Sequence, residues 1–537
     1  MNLRFNSYRA PVYGKRGMVA SSQPLASEAG MRILQQGGNA ADAAVATAAA
    51  LNVTEPCSTG IGGDCFCLFF DNSTKQVSGV NGSGRAPNNL TLEYLNNQDI
   101  TGALHPLSIH TITVPGAAAG WVDSISKFGI LELRDILKPA IELAENGFPV
   151  APFTARAWQR SEKLIKSGPF GEEILLNGVA PKEGEIMKNP TLATTFKTLA
   201  EEGKSGFYEG RIANAIVDLI QSKEGLMTLE DLKKHQTTFD NPISTNYRGV
   251  EVHEIPPNGQ GITALIALNI LEGFEIDKMK HSSVEHLHVL IETMRIAFAD
   301  TRWYVADPEV VDVPIQELIA KPYAAERRKL IDLTKATINV QRGSPVTGSD
   351  TVYFSVVDGE GNACSFINSN YMGFGTGLVP KGCGFTLQNR GANFTLEPGH
   401  PNVLAPNKRP YHTIIPGMAT KDDKLYASFG VMGGFNQPQG HVQVISNLID
   451  YGMNPQEALN APRFCIRDGT SGGKIALEEG IALETMSTLS RMGHEVVPTA
   501  GLGRMIFGRG QIITRNPKNG VLCGGSSPRA DGLAIGW

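Results

Sequence analysis

The strongest constraint on the fold is a change of character near residue 351. Before it, apolar residues recur mostly at helical spacing, over 25–36, through much of 120–235 and again over 283–300. After it come short strand-like runs separated by glycine turns, with only two helical stretches, near 440–451 and 481–492. Strand patterns nevertheless lie on both sides, at 65–70, 76–80 and Tyr247–Ile255 before the change and at Tyr426–Val431 after it. A helix-rich first part and a strand-rich second part, with strands pairing across the division, predict an α+β sandwich rather than a βαβ series.

Local signals sharpen this. The first helix stops at Gly37-Gly38, a natural helix ending. Asn39 then caps an alanine-rich helix through Leu51, whose small side chains imply close helix packing rather than a ligand site. Thr228 with Asp231 starts another helix, and Pro256-Pro257-Asn258-Gly259-Gln260-Gly261 reads as a loop. Across 537 residues there is no Pro/Ser-rich linker, charge block or repeat, so one or two large, intimately packed domains are expected.

The 48 basic and 53 acidic residues are scattered and leave a net charge of −5, which offers neither nucleic acid nor a membrane surface a basic patch. No apolar stretch approaches the ~20 residues of a spanning helix. The start, Met1-Asn2-Leu3-Arg4-Phe5, has no secretory apolar core. Seven dispersed cysteines form neither a disulfide framework nor a zinc pattern. Together these predict a cytoplasmic protein without a cofactor or metal.

Thr351 opens the run Thr351-Val352-Tyr353-Phe354-Ser355-Val356-Val357-Asp358, which closes in Asp358-Gly359-Glu360-Gly361. Taken alone it reads as an ordinary strand threonine, because strands favour β-branched residues. Other motifs accompany it: Gly37-Gly38-Asn39-Ala40-Ala41-Asp42, Ser58-Thr59-Gly60-Ile61-Gly62-Gly63, Gly373-Phe374-Gly375-Thr376-Gly377, Pro406-Asn407-Lys408-Arg409-Pro410 and Gly430-Val431-Met432-Gly433-Gly434. The glycine clusters do not open a helix in a βαβ unit and so are not nucleotide loops. His281, His286 and His288 match no zinc spacing and read as structural histidines on an amphipathic helix. Cys65, between apolar neighbours, reads as an inert buried thiol.

In this order the motifs resemble the γ-glutamyltranspeptidase family of self-cleaving N-terminal nucleophile hydrolases, over roughly residues 15 to 537. The resemblance implies a four-layer αββα sandwich. It also implies cleavage between Asp350 and Thr351 into a large segment, 1–350, and a small segment, 351–537, which remain associated as one intertwined domain. Thr351 then supplies both the nucleophilic hydroxyl and, through its freed α-amine, the base. Ser369 stands where the family has a hydroxyl that orients the nucleophile, and Gly433 and Gly434 stand where backbone amides receive the oxyanion.

The same resemblance exposes departures in the substrate pocket. Arg390 occupies the position of a family Gln and Asn393 that of an acidic residue, both of which hold a substrate ammonium in relatives. His412 and Thr413 replace paired serines, Tyr371 replaces an Asn, and Arg85 lies two residues later than a carboxylate-binding Arg. Replacing a carboxylate by an amide beside a new cation works against an ammonium, at roughly 1.5–3 kcal/mol for the lost charge-assisted bond. The pocket is therefore expected to prefer a carboxylate-ended acyl chain such as glutaryl over γ-glutamyl, as in cephalosporin acylase-like members. The short stretch from Phe394 to Asn407 lacks a lid insertion, which predicts an open groove favouring water over an amine acceptor. Two alternatives stay open: a true γ-glutamyltransferase acting on glutathione, and an uncleaved, catalytically idle binding protein. A homo-oligomer also remains open.

Overall fold

In the computed structural model, residues 9–337 and 351–537 are described, and Asp350 lies outside them. Two antiparallel sheets face each other between two layers of helices. The six-stranded sheet runs, edge to edge, Leu533–Gly536, Gly17–Ser21, Val352–Asp358, Ala363–Ser369, Asp64–Asp71 and Gln76–Gly82. The seven-stranded sheet runs Val12–Gly14, Leu522–Ser526, Arg509–Arg515, Lys424–Met432, Gly417–Lys421, Val250–Glu254 and Ile243–Tyr247. Each sheet thus combines strands from before and after residue 351, as the pattern across the division predicts.

Side-chain alternation along single strands builds the layers. In Val352–Asp358, Val352, Phe354 and Val356 join the core beneath one helix layer, while Tyr353 and Val357 join the core between the sheets. Asp64–Asp71 repeats this, with Cys65, Cys67 and Phe69 on the helix side and Phe66, Leu68 and Phe70 between the sheets. The other helix layer, which includes Gly261–Leu271, Val284–Tyr304 and Asn436–Ile449, packs on the seven-stranded sheet. The result is the αββα sandwich.

Most predicted elements occur within a few residues of their sequence bounds, including Pro24–Gln35, and Ala40–Thr54 with an Asn39–Asp42 capping box. Two readings need correction. The strand expected over Tyr247–Ile255 is the second arm of a hairpin: Ile243–Tyr247 turns through Arg248 (φ 51°) and Gly249 (φ 82°) into Val250–Glu254. Gly261 ends the predicted loop but also begins the unpredicted helix Gly261–Leu271, in which every residue is buried. Being apolar on all sides, that helix carries no periodic signal. Among the described residues no helix is long and apolar enough to cross a membrane.

Candidate active site

Three adjacent strands of the six-stranded sheet bring the first residues together at one sheet end. Thr351 immediately precedes Val352–Asp358, Ser369 ends the neighbouring strand, and Asp64, paired with Ser369, begins the third. Gly62 and Gly63, from the second glycine motif, let this end close. A Cβ on Gly63 would lie 2.3 Å from the Ser369 carbonyl oxygen, and one on Gly62 would lie 2.4 Å from that of Thr386. The motif is there for packing.

Thr351 Oγ1 lies 3.0 Å from Ser369 Oγ, and both residues are fully buried. Ser369 Oγ also receives the Tyr371 amide at 2.9 Å and Arg390 Nη2 at 3.1 Å. Arg390 donates its other terminal nitrogen to Thr413 Oγ1 at 2.7 Å, stacks 4.6 Å above the Tyr371 ring, and carries Nε 3.8 Å from Asp64. Burial pulls this guanidinium down to about 10, so it remains a cation at neutral pH. Tyr371 holds φ at 74°, a region that costs a bulky side chain strain of order 1–3 kcal/mol. His412 Nε2 sits 3.1 Å from Asp64, and burial followed by the Arg390 charge lowers His412 to about 3, which leaves it neutral.

Arg509, which the sequence did not single out, holds the Thr351 backbone from the opposite sheet. Arg509 pairs with Met432 in strand register and donates to the Thr351 carbonyl at 3.3 Å and to Ser58 Oγ at 3.0 Å, while its other arm binds buried Glu55. Gly433 and Gly434 directly follow Met432, with φ values of 134° and 58°. Their carbonyls accept the first bonds of the helix Asn436–Ile449, at 3.0 and 3.1 Å. The pair therefore lies at a helix N-terminus, where amides are left over by helical bonding and suit an anion. Gln260 Nε2 ties this turn to the site, donating to the carbonyls of Gly434 at 2.9 Å and Thr413 at 2.5 Å. The loop before the unpredicted helix thus positions the site; its only sequence signal is the Pro256–Gly261 turn cluster.

The remaining predicted residues divide. Asn393 lines a cavity of about 760 Å³ walled by Ala392, Arg302, Trp303, Tyr411 and Phe435 together with the short segment after Phe394. Two of its wall residues adjoin site residues in sequence: Phe435 follows Gly434, and Tyr411 precedes His412. Thr351 is not among the described residues that line it. Arg85 pairs with Glu309 at 2.6 Å, an acid it shares with Arg409 at 3.2 Å, and makes no described bond to the Arg390 group.

The motifs set aside in the sequence have structural partners. His281 lies 2.9 Å from Asn447 Oδ1, His286 Nδ1 accepts the Ser282 amide at 3.1 Å, and His288 lies 2.8 Å from His494. His288 and His494 approach Glu292, but Arg295 lies 3.4 Å from that carboxylate, placing a cation beside the group that would have to bind a metal. Cys65 is buried, and desolvation pushes its thiol well above the usual range.

The family profile described as "Gamma-glutamyltranspeptidase" matches residues 26–537. The chain belongs to the γ-glutamyltranspeptidase family. Similar relatives include the "Glutathione hydrolase-like YwrD proenzyme" of Bacillus subtilis (strain 168), 39% identical over 98% of this chain and 99% of that one. The "Acylase ACY 1 proenzyme" of Pseudomonas sp. (strain SE83) is 34% identical over 99% of this chain and 95% of its own length. Among solved structures, a cephalosporin acylase from Bacillus halodurans is 43% identical with a TM-score of 0.93, covering 100% of this chain and 98% of that one. The αββα sandwich is accordingly of the N-terminal nucleophile hydrolase type, and this family member is an enzyme of that class.

Proposed function

We propose that the protein is a self-processing amidase that cleaves its own Asp350–Thr351 bond and then hydrolyses amides of carboxylate-ended acyl chains through an acyl-Thr351 intermediate. The observation that carries this reading is the buried Thr351 hydroxyl, 3.0 Å from Ser369 Oγ at the start of a central strand. A threonine hydroxyl is a weak nucleophile and needs a base. During maturation Thr351 Oγ attacks the carbonyl of residue 350, the peptide nitrogen departs as the α-amine, and water opens the resulting ester. That amine, with a reference pKa of ~7.7–8.0, suits general-base work near neutral pH.

In turnover the amine takes the hydroxyl proton as Oγ attacks the substrate carbonyl, then passes it to the departing amine. Water releases the acyl group by the same route. The amides of Gly433 and Gly434 receive the oxyanion, each such donor being worth ~10²–10³ in rate. Ser369 orients the hydroxyl, and Arg390, with every described contact inside the protein, holds Ser369, Thr413 and Tyr371 rather than substrate. A permanent cation there, an amide at Asn393, and the names acylase and cephalosporin acylase among the relatives support an acyl group without an α-ammonium. Seven free thiols suit a reducing, cytoplasmic setting.

Denaturing electrophoresis, amino-terminal sequencing of the light fragment and kinetics test the reading together. Wild type should give two bands, the smaller beginning at Thr351, and Thr351→Ala a single band. The kcat/KM for glutaryl-4-nitroanilide should exceed that for the γ-glutamyl analogue. A γ-glutamyl preference would instead indicate a glutathione-type hydrolase, and one inactive band in both proteins an idle binding protein.

A further inference from the structure

We propose that Arg509, braced by Glu55, is a positioning residue for the chain end that cleavage makes, fixing the direction of the freed Thr351 α-amine. The proposal deepens the amidase reading above and rests on it. Cleavage changes what holds Thr351. In the intact chain a peptide bond fixes it on each side, whereas afterwards only the bond to Val352 remains. Strand pairing does not replace the lost tether, because the register between Val352–Asp358 and Ala363–Ser369 ends at Val352 and Asn368. Thr351 lies one residue beyond that last pair. Its hydroxyl meets Ser369 at 3.0 Å and its carbonyl accepts from Arg509 at 3.3 Å. An α-carbon with two substituents held has no freedom left for the third, and here the third is the base.

The brace comes from the large segment. Arg509 is buried and pairs in strand register with Met432. One terminal nitrogen binds Glu55, and the other donates to Ser58 Oγ at 3.0 Å as well as to Thr351. Nε lies 3.4 Å from Met432 Sδ, so all three nitrogens are directed. Glu55 follows the helix Ala40–Thr54, is fully buried, and accepts Ser22 Oγ at 2.5 Å with its other oxygen. Burial pushes the Glu55 carboxyl up, and the Arg509 cation opposes that rise.

Ser22, Glu55 and Ser58 precede residue 351, while Arg509 follows it. The pair therefore transmits the grip of the large segment to the nucleophile of the small one. A buried ion pair is weak evidence for stability, since packed apolar groups of similar volume often serve as well. Stability alone does not explain why this one is aimed at the Thr351 carbonyl.

The test uses variants that leave no buried charge alone. Arg509→Lys keeps a cation for Glu55 but loses the planar fork, and Glu55→Gln combined with Arg509→Met removes both charges. Thermal midpoint and band conversion on denaturing gels are followed for each. After processing, kcat and KM are measured on whichever of glutaryl- and γ-glutamyl-4-nitroanilide the wild type turns over faster. In both variants kcat should fall about 10- to 100-fold, the range of a lost charged hydrogen bond, with KM changed much less. Processing should slow less than turnover, because the uncut peptide bond still holds Thr351. An unchanged kcat, a loss confined to KM, or a kcat that falls only in step with the folded fraction would each overturn the proposal. So would a variant that folds but slows in processing as much as in turnover. Should the double variant not fold, Arg509→Lys decides. A wild type that stays one chain and turns over no amide would defeat the amidase reading and this proposal with it; with an active wild type, the variants alone judge Arg509.

Discussion

At the scale of single residues, the buried Arg390 does more for the nucleophile than its exchange for a family Gln suggests. Its planar fork reaches Ser369 and Thr413 with different nitrogens while its face covers Tyr371. A lysine keeps the charge but presents one compact donor group on a flexible stem, so Arg390→Lys should lose one of the two hydroxyl contacts and the stacking. We expect self-cleavage to slow and kcat for the processed enzyme to fall by roughly tenfold, the scale of a lost charged hydrogen bond, with KM changed much less. A time course of band conversion and steady-state kinetics measure both. Unaltered processing and kcat would show that Ser369 is held in place without the Arg390 fork. Arg390 was legible in the sequence as a substitution, but not as a positioning group. Its partners lie at positions 64, 369, 371 and 413, and only the fold brings them together.

At the scale of elements, legibility follows periodicity and caps. Pro24–Gln35 and Ala40–Thr54 announce themselves through the Gly37-Gly38 stop and the Asn39 cap, and the alanine content of the second predicts the intimate contact observed. Gly261–Leu271 is hidden because burial on every side removes the helical alternation on which such reading depends. The hairpin at Arg248-Gly249 is hidden because its strands together resemble one longer run. The contact between the first two helices gives a prediction. A Cβ on Gly30 would lie 2.2 Å from Thr47 Oγ1 and 3.1 Å from the Ala43 carbonyl oxygen. Thr47 cannot easily yield, since it is buried and donates to that same carbonyl at 2.7 Å. Gly30→Ala gains about 1 kcal/mol of helix propensity, but overpacking costs typically 1–3 kcal/mol. The clash is deep in the core, so the variant should be destabilised. Urea unfolding of the variant in the uncleaved Thr351→Ala background measures this, and a midpoint at or above the parent's would show that the helices separate at little cost.

At the scale of the whole molecule, a cut before Thr351 would sever the chain without separating any layer. In the six-stranded sheet, Gly17–Ser21 sits between Leu533–Gly536 and Val352–Asp358, and Ala363–Ser369 pairs with Asp64–Asp71. In the seven-stranded sheet, Val12–Gly14 pairs with Leu522–Ser526, and Gly417–Lys421 with Val250–Glu254. Every one of these seams joins a strand from before residue 351 to one from after it. The core between the sheets likewise mixes Met18, Phe66 and Ile255 with Tyr353, Met418 and Ile513. Neither fragment alone therefore closes a sheet or fills a core, and each would expose long unpaired strand edges that template aggregation. The processed protein should elute from a sizing column as one species containing both fragments. In urea, secondary structure and tryptophan fluorescence should be lost in one coincident transition, the sign of a single cooperative unit. Residues 351–537 expressed alone should be insoluble or unfolded, because Gly17–Ser21 is missing from the centre of their sheet. A soluble, folded light fragment, or two separate transitions, would mean that the seams are interfaces between independent domains rather than the interior of one.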